Sequence, residues 1–362
     1  MRVSNLVAIC LLSSAACAQA TGPSAPLPSF SAPMHRVSLS ANSLTGLIAT
    51  GGADLIYALQ VETKRQNPSL PEAFGGLSSL SIRSIEGDTI LFDAVTDQGH
   101  LARFSAPNPI GKGLADLPTS TQVELWALTD SENRVLGGAS QIDSEGLAPT
   151  DTGFLISFER NHRLLERIQT EAGARTHDGP NLTGFDGLEP NGGMEALTRL
   201  PNGQYLASAE YGPDRLSDPA AKLQAPYWIF DLANKATTAP LGRFENQGRF
   251  GITDIRILDE EVWVLKRSYD PSTKITLARL ETCSLSSVLA GKPLCSVRLA
   301  LAPPFLMDNY EGLAVMKEPG SEATLVFMLS DDNFSADQGT YLLAFRLGAP
   351  AGSVPPSPGA TP

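Results

Sequence analysis

Residues 309–332 read NYEGLAVMKEPGSEATLVFMLSDD. An apolar run opens on Glu-Gly-Leu-Ala, breaks at Pro-Gly, and resumes as a second apolar run that ends on two acids. Runs of this length, bounded by turn residues, read as β-strands. A third run follows at Tyr341–Arg346. The same order recurs upstream. Copies of the first run begin at Phe74-Gly75-Gly76-Leu77-Ser78, Asp143-Ser144-Glu145-Gly146-Leu147-Ala148, Gly193-Met194-Glu195-Ala196-Leu197-Thr198 and Gly251-Ile252-Thr253-Asp254-Ile255. The steps Glu145 to Glu195, Glu195 to Asp254 and Asp254 to Glu311 are 50, 59 and 57 residues. Strand-only repeats near that period are the sequence mark of propeller blades. The expected fold is all-β, a β-propeller of antiparallel four-stranded blades. Five copies are visible, and six blades are favoured because Leu44–Thr63 could supply parts of another. Val123–Leu128 reads as an extra strand. The early strand around Val37 and Leu39 is expected to pair with the last blade and close the ring.

The flanks differ in kind. Residues 1–20 carry Arg2, a short apolar core from Leu6 to Leu12, and Ala18-Gln19-Ala20, the pattern of a cleaved export signal. That core is too short to span a bilayer, which takes about 20 apolar residues. Cleavage near Ala20 would place the protein in the periplasm or outside the cell. A lipid-anchored route through Cys17 is the less favoured alternative, since the usual aliphatic residue three positions before it is missing. Residues 21–34 and 348–362 are Pro/Ser/Gly-rich and read as loose segments around a propeller at 35–347. The mature chain keeps two cysteines, Cys283 and Cys295, which favours one disulfide in an oxidising compartment. A short helical turn is expected at Leu285–Ala290.

The formal charge is -12, and no basic run is present. This argues against nucleic acid or anionic membrane as partner. A small-molecule substrate and a monomer are expected. No Gly-x-Ser-x-Gly elbow, Walker loop or Gly-x-Gly-x-x-Gly occurs, and Gly111-Lys112-Gly113 lacks the needed spacing. What remains is acid. In a propeller the first strand of each blade lines the channel, so Glu145, Glu195 and Glu311 are expected near the axis, with Asp254 close to a fourth equivalent. The second runs end at Asp97, Glu159, Glu210, Asp331 and Asp332. Converging carboxylates must bind a cation, pair with arginine, or stay protonated. Oxygen ligands without His or Cys suit Ca²⁺. Glu145, Glu195, Glu311, Asp331 and Asp332 are therefore the candidate ligands. The same acids could instead tie turns through backbone N–H groups. Arg160 and Arg267 read as matching strand-end partners. His162, beside Glu159, could reach the same mouth. Asp331-Asp332-Asn333-Phe334 is an oxygen-ligand cluster or an ordinary turn.

The ordered set FGGLS (74–78), TDQG (96–99), SEGLA (144–148), FERNHR (158–163), MEALT (194–198), LPNG (200–203), GITD (251–254), YEGLA (310–314) and SDDNFS (330–335) resembles the family called esterase-like activity of phytase. It spans about 74–347. The resemblance implies an exported bacterial propeller that hydrolyses phosphoesters or esters. On that reading Glu159, Arg160, Lys266, Arg267 and His162 are catalytic candidates, and Asp97, Glu210, Asp254 and Asn333 contact substrate. One departure stands out: Lys266-Arg267 replaces a Glu-Arg strand end, removing an acid and adding a cation. The rival expectation is a non-catalytic propeller that binds a ligand or an envelope partner.

Overall fold

The computed structural model describes residues 28–110, 117–170, 173–185, 187–213, 224–234 and 238–348. The segment expected to be an export signal, Gly111-Lys112-Gly113 and the Pro-rich segment after residue 348 lie outside them. Among the described residues no helix is long and apolar enough to cross a membrane.

Three strands precede the repeats: β1 (Phe30–Arg36), β2 (Leu47–Ala49) and β3 (Ala53–Val61). The first unit is β4 (Leu77–Glu86), β5 (Thr89–Thr96), β6 (His100–Pro107) and β7 (Ser120–Ala127). The second is β8 (Ser144–Pro149), β9 (Gly153–Phe158), β10 (Arg163–Thr170) and β11 (Gly173–Asp178). The third is β12 (Met194–Arg199), β13 (Tyr205–Ala209), β14 (Gln224–Phe230) and β15 (Gly242–Glu245). The fourth is β16 (Gly251–Leu258), β17 (Glu261–Asp270), β18 (Ile275–Ser284) and β19 (Cys295–Leu301). The fifth is β20 (Asn309–Lys317), β21 (Thr324–Asp331) and β22 (Thr340–Leu347), completed by β3. Within each unit the strands pair antiparallel in the order just given. The five first strands, β4, β8, β12, β16 and β20, touch in cyclic order around one axis. The architecture is therefore an all-β propeller.

Among the described residues there are five such units, not the six favoured from sequence. Leu44–Thr63 makes no blade of its own. Its β2 extends the fourth unit, with Leu299 opposite Ala49, and its β3 closes the ring. Val123–Leu128 is not an extra strand but the ordinary outer strand of the first unit. Closure falls to β3 rather than to Val37 and Leu39, although the Val37 N–H donates to Ala58 O of β3 (2.8 Å). β1 straddles the seam, pairing Met34–Arg36 with β3 and Phe30–Pro33 with β7. The segment expected to be loose up to residue 34 is thus strand from Phe30. Its pleat buries Ala32 and Met34, which its Pro- and Ser-rich composition hides.

Apolar runs form these strands because both faces are covered by neighbouring blades. Gly153–Phe158 is buried from Phe154 onward. One apolar cluster fills each interface between consecutive units. Where first strands converge, side chains have no room: a Cβ on Gly146 would lie 2.3 Å from Ser157 Oγ and 2.8 Å from Leu197 Cβ.

Cys283 and Cys295 form the expected disulfide, directly opposite each other on β18 and β19. They bracket the short helix Leu285–Leu289. The closed loop is short, so Cys283→Ser with Cys295→Ser is expected to cost about 2–3 kcal/mol. Urea denaturation of the double variant checks this. An unchanged midpoint would show that strand pairing alone holds the loop.

Candidate functional site: an acidic cup on the propeller axis

Each first strand carries a register shift near its start, between Ser78 and Ser81, Ser144 and Leu147, Met194 and Ala196, Ile252 and Asp254, and Tyr310 and Gly312. A bulge re-aims the residue it adds. Glu145, Glu195, Thr253 and Glu311 fall at these shifts, and Ser78 stands at the equivalent position in β4. On the second strands Thr96, Phe158, Ala209, Lys266 and Ser330 pair equivalent first-strand positions, and the residue after each faces the same end of the axis. This gives a second tier, Asp97, Glu159, Glu210, Arg267 and Asp331. The two tiers form a cup at one end of the axis.

Asp97, Asp143 and Glu145 each offer an oxygen within 4.8 Å of the others. Arg160 Nε donates to Asp143 Oδ2, and its Nη2 donates to Asn191 Oδ1 (3.1 Å). Glu159 Oε1 accepts from the backbone of Gly193 (2.6 Å) and of Gly192. Arg267 Nη2 donates to Glu210 Oε1 (3.1 Å) and approaches Glu311 Oε1 (3.4 Å). Glu311 also accepts from Ser78 Oγ (3.0 Å) and Asn309 Nδ2 (2.9 Å). Asn309 Nδ2 bridges on to Asp331 Oδ2 (3.1 Å), whose Oδ1 accepts from the Asn333 N–H (2.7 Å).

The electrostatic result is a set of carboxyls held above their ordinary range. Burial is the largest cause for Asp97, Glu145, Glu195 and Asp331, and neighbouring carboxylates add to it. Glu311 is raised by burial against the pull of Arg267. Asp143 is raised by burial against the pull of Arg160. Glu195 is raised by burial first and then by the neighbouring Glu159, Glu145 and Glu210 carboxylates. For Arg267, burial works against the charge, but Glu210 and Glu311 outweigh it and raise its pKa.

The floor of the cup is a plug. Arg256 lies on the axis, its guanidinium donating to Leu80 O (2.8 Å), Ser79 Oγ (2.6 Å), Leu197 O (2.9 Å), Ile255 O (2.7 Å) and Asp254 Oδ1 (2.8 Å). Asp254 Oδ2 accepts from the Leu313 N–H (2.8 Å), and Ser79 Oγ accepts from the Leu147 N–H (3.1 Å). One polar network therefore joins all five first strands.

Several expected site residues lie elsewhere. Asp254 belongs to this plug, because the bulge in β16 gives the Glu-equivalent position to Thr253. Burial pushes the Asp254 carboxyl up to about 7. Lys266 is fully buried, its Nζ 2.8 Å from Glu281 Oε2 and donating to Glu245 O (2.7 Å). Strand alternation turns it away from the cup and turns Arg267 in. Arg267 thus matches Glu159, not Arg160, and it is Arg267 that stands where the other units carry an acid. His162 faces a side cavity of about 250 Å³ with Phe185 and Met194. Gly193 leaves room for it, since a Cβ there would meet His162 Cε1 at 1.9 Å. Asp332 Oδ1 accepts from the Gly76 (3.0 Å) and Phe334 (3.2 Å) N–H groups and its Oδ2 from Thr63 Oγ1, a loop-tying role. Asn333 is exposed on the rim. Sequence reading missed Asp143, although it heads the quoted DSEGLA run, and missed Arg256, whose single copy gives no repeat signal.

A hard divalent cation fits the donor chemistry. Asp97, Asp143 and Glu145 offer carboxylate oxygens without sulfur or imidazole, and 4.8 Å is twice a Ca–O distance of about 2.4 Å.

No curated protein matches the sequence. Among solved structures the chain is similar to an α-L-arabinofuranosidase from Lactobacillus brevis, at 13% identity and TM-score 0.40, covering 75% of this chain and 91% of that one. It is also similar to a mutant levansucrase from B. megaterium, at 11% identity and TM-score 0.44, covering 76% and 82%. The β-propeller domain of Vanderwaltozyma polyspora Nup133 aligns at 8% identity and TM-score 0.32, covering 87% and 89%. Likenesses at this level bear on neither substrate nor mechanism. The sequence itself is more telling: residues 72–334 match the profile described as esterase-like activity of phytase, and the chain belongs to that phytase-like family.

Proposed function

We propose that the acidic cup is the active site of an exported hydrolase acting on phosphoesters or esters, with Ca²⁺ held by Asp97, Asp143 and Glu145. The convergence of those three carboxyls beside two arginines is the observation that carries the reading. When bound, the cation would offset the carboxylate charge and polarise a substrate oxygen. The side chain of Arg160 is 42% exposed and can meet an anionic oxygen from the rim. Arg267 holds Glu210 and Glu311 in place. Glu195, its carboxyl raised by burial, can supply a proton to a leaving group. Asn333 stands on the rim where a substrate would enter. The disulfide supports action in an oxidising compartment.

The test is hydrolysis of p-nitrophenyl phosphate, p-nitrophenyl acetate and phytate by the mature protein, with calcium and with chelator. Calcium-dependent release, lost in a folded Glu145→Gln variant, is expected. The Ser78 hydroxyl is committed to Glu311, which favours a second reading, a ligand-binding propeller without turnover. Calcium binding with no release from any of the three substrates would select that reading.

A further inference from the structure

The other end of the axis carries the opposite charge. Between the first and second units, on the far side of the Arg256 plug from the cup, lies a cavity of about 720 Å³ whose lining includes Arg83, Arg103, Arg167, Trp126, Phe154 and the two acids Asp93 and Asp151, the latter paired with Arg199. It abuts the lower end of the channel, where Arg199 and Arg256 also lie. Two of the cavity's three guanidiniums, Arg83 and Arg103, share the buried carboxylate of Asp93, and Arg103 also lies 3.6 Å from Glu124 Oε2. Arg103 Nε donates to Asp93 Oδ1 (2.8 Å), and its guanidinium lies 4.8 Å over the Trp126 ring. Arg83 reaches Asp93 Oδ2 only at 3.5 Å and is half exposed. Arg167 is 5% exposed, and among the described residues it makes no hydrogen bond or ion pair. Its burial and the neighbouring Arg103 charge both depress its pKa.

The Arg167 guanidinium opens on the cavity, so its charge is presented to that space rather than sealed among apolar groups. The strand register explains why it faces this space: Arg167 pairs with Phe154 and lies on the same face of β10 as Leu165, which packs into the interface with the first unit. In a strongly acidic protein, a cationic cavity walled by Trp126 and Phe154 is a built feature.

We propose that this cavity binds a small organic anion carrying an aromatic or planar apolar part. Arg167 and Arg83 receive the anionic group, and Trp126 and Phe154 flank the ring. The site is separate from the cup and does not depend on the function proposed for it.

The test is calorimetric titration of the mature chain with 2-naphthalenesulfonate, in EDTA so that the cup plays no part. One saturable site is expected, competed by sulfate, with the uncharged 2-naphthol far weaker. Arg167→Met should weaken binding roughly tenfold or more, the scale of one charge-assisted hydrogen bond. Its Tm should hold or rise, because no partner is left stranded. Arg83→Ala, at the exposed edge, should weaken binding while Asp93 keeps its closer partner Arg103. No saturable binding at millimolar probe, or equal affinity in both variants, would overturn the proposal. So would a clear loss of Tm in Arg167→Met, which would mark Arg167 as structural.

Discussion

Arg256→Met is expected to lower the unfolding free energy by about 3–5 kcal/mol, the scale for removing one partner of a buried ion pair. The loss is concentrated because one guanidinium serves acceptors on the first, third and fourth units. Without it, the carbonyls of Leu80, Leu197 and Ile255 lose a donor, and Asp254 stays buried without its cation. The Asp254 carboxyl, already pushed up to about 7 by burial, would then favour its protonated form more strongly. The variant should therefore be less impaired at pH 5 than at pH 8. Arg256→Met with Asp254→Asn should recover part of the loss, since the double change removes the stranded charge. Urea denaturation at both pH values measures all three effects. A single variant within 1 kcal/mol of wild type would show that the apolar interfaces alone close the ring.

The second large effect is an inverted pH dependence in the metal-free protein. Asp97, Glu145, Glu195, Glu311 and Asp331 all have folded pKa values above their unfolded ones. A carboxyl of that kind binds its proton more tightly in the folded state. Its contribution is complete below the unfolded value and is lost as pH rises through the folded value. In EDTA, Tm is thus expected to fall from pH 5 to pH 8, by roughly 10 °C for a chain of this size. Glu62, Asp130 and Asp270 shift the opposite way but titrate below this window, whereas His100 and His162, whose pKa values burial lowers, gain stability as pH rises and offset part of the fall. Calcium should restore Tm at pH 8, by about 2.7 kcal/mol when present at a hundred times its Kd. A Tm that rises with pH in EDTA, or that ignores calcium at pH 8, would show that the arginines and backbone donors already satisfy these acids. Glu195→Gln offers a local check: it should raise the metal-free Tm at pH 8, because it removes a buried carboxyl that neighbouring acids disfavour in its charged form.

The sequence by itself determined the class of fold and the chemistry of one end of it. Short apolar runs at a repeat near 50 residues have few ways to bury both faces, and a ring of meanders is one of them. The recurrent Glu and the acids closing each second run sit at fixed offsets in that repeat. Glu145, Glu195, Glu311, Asp97, Glu159, Glu210 and Asp331 were legible for this reason. The disulfide and the helix between its cysteines were legible because both depend on neighbours close along the chain.

Tertiary structure alone decided the rest. A one-residue bulge turns a side chain to the other face, which sends Asp254 to the plug and leaves Thr253 in its place. Alternation along β17 puts Arg267 in the cup and Lys266 between blades, a choice that the adjacent basic pair conceals. The number of units depends on where an early strand finds its partner, and β3 pairs with β22 across most of the chain's length. Arg256 and Arg167 each occur once, outside the repeat, and gain their meaning only from what five converging strands or two facing blades bring within reach. Periodic features are written locally and can be read from the chain. Contacts made across the ring are fixed by closure, which no local stretch of sequence contains.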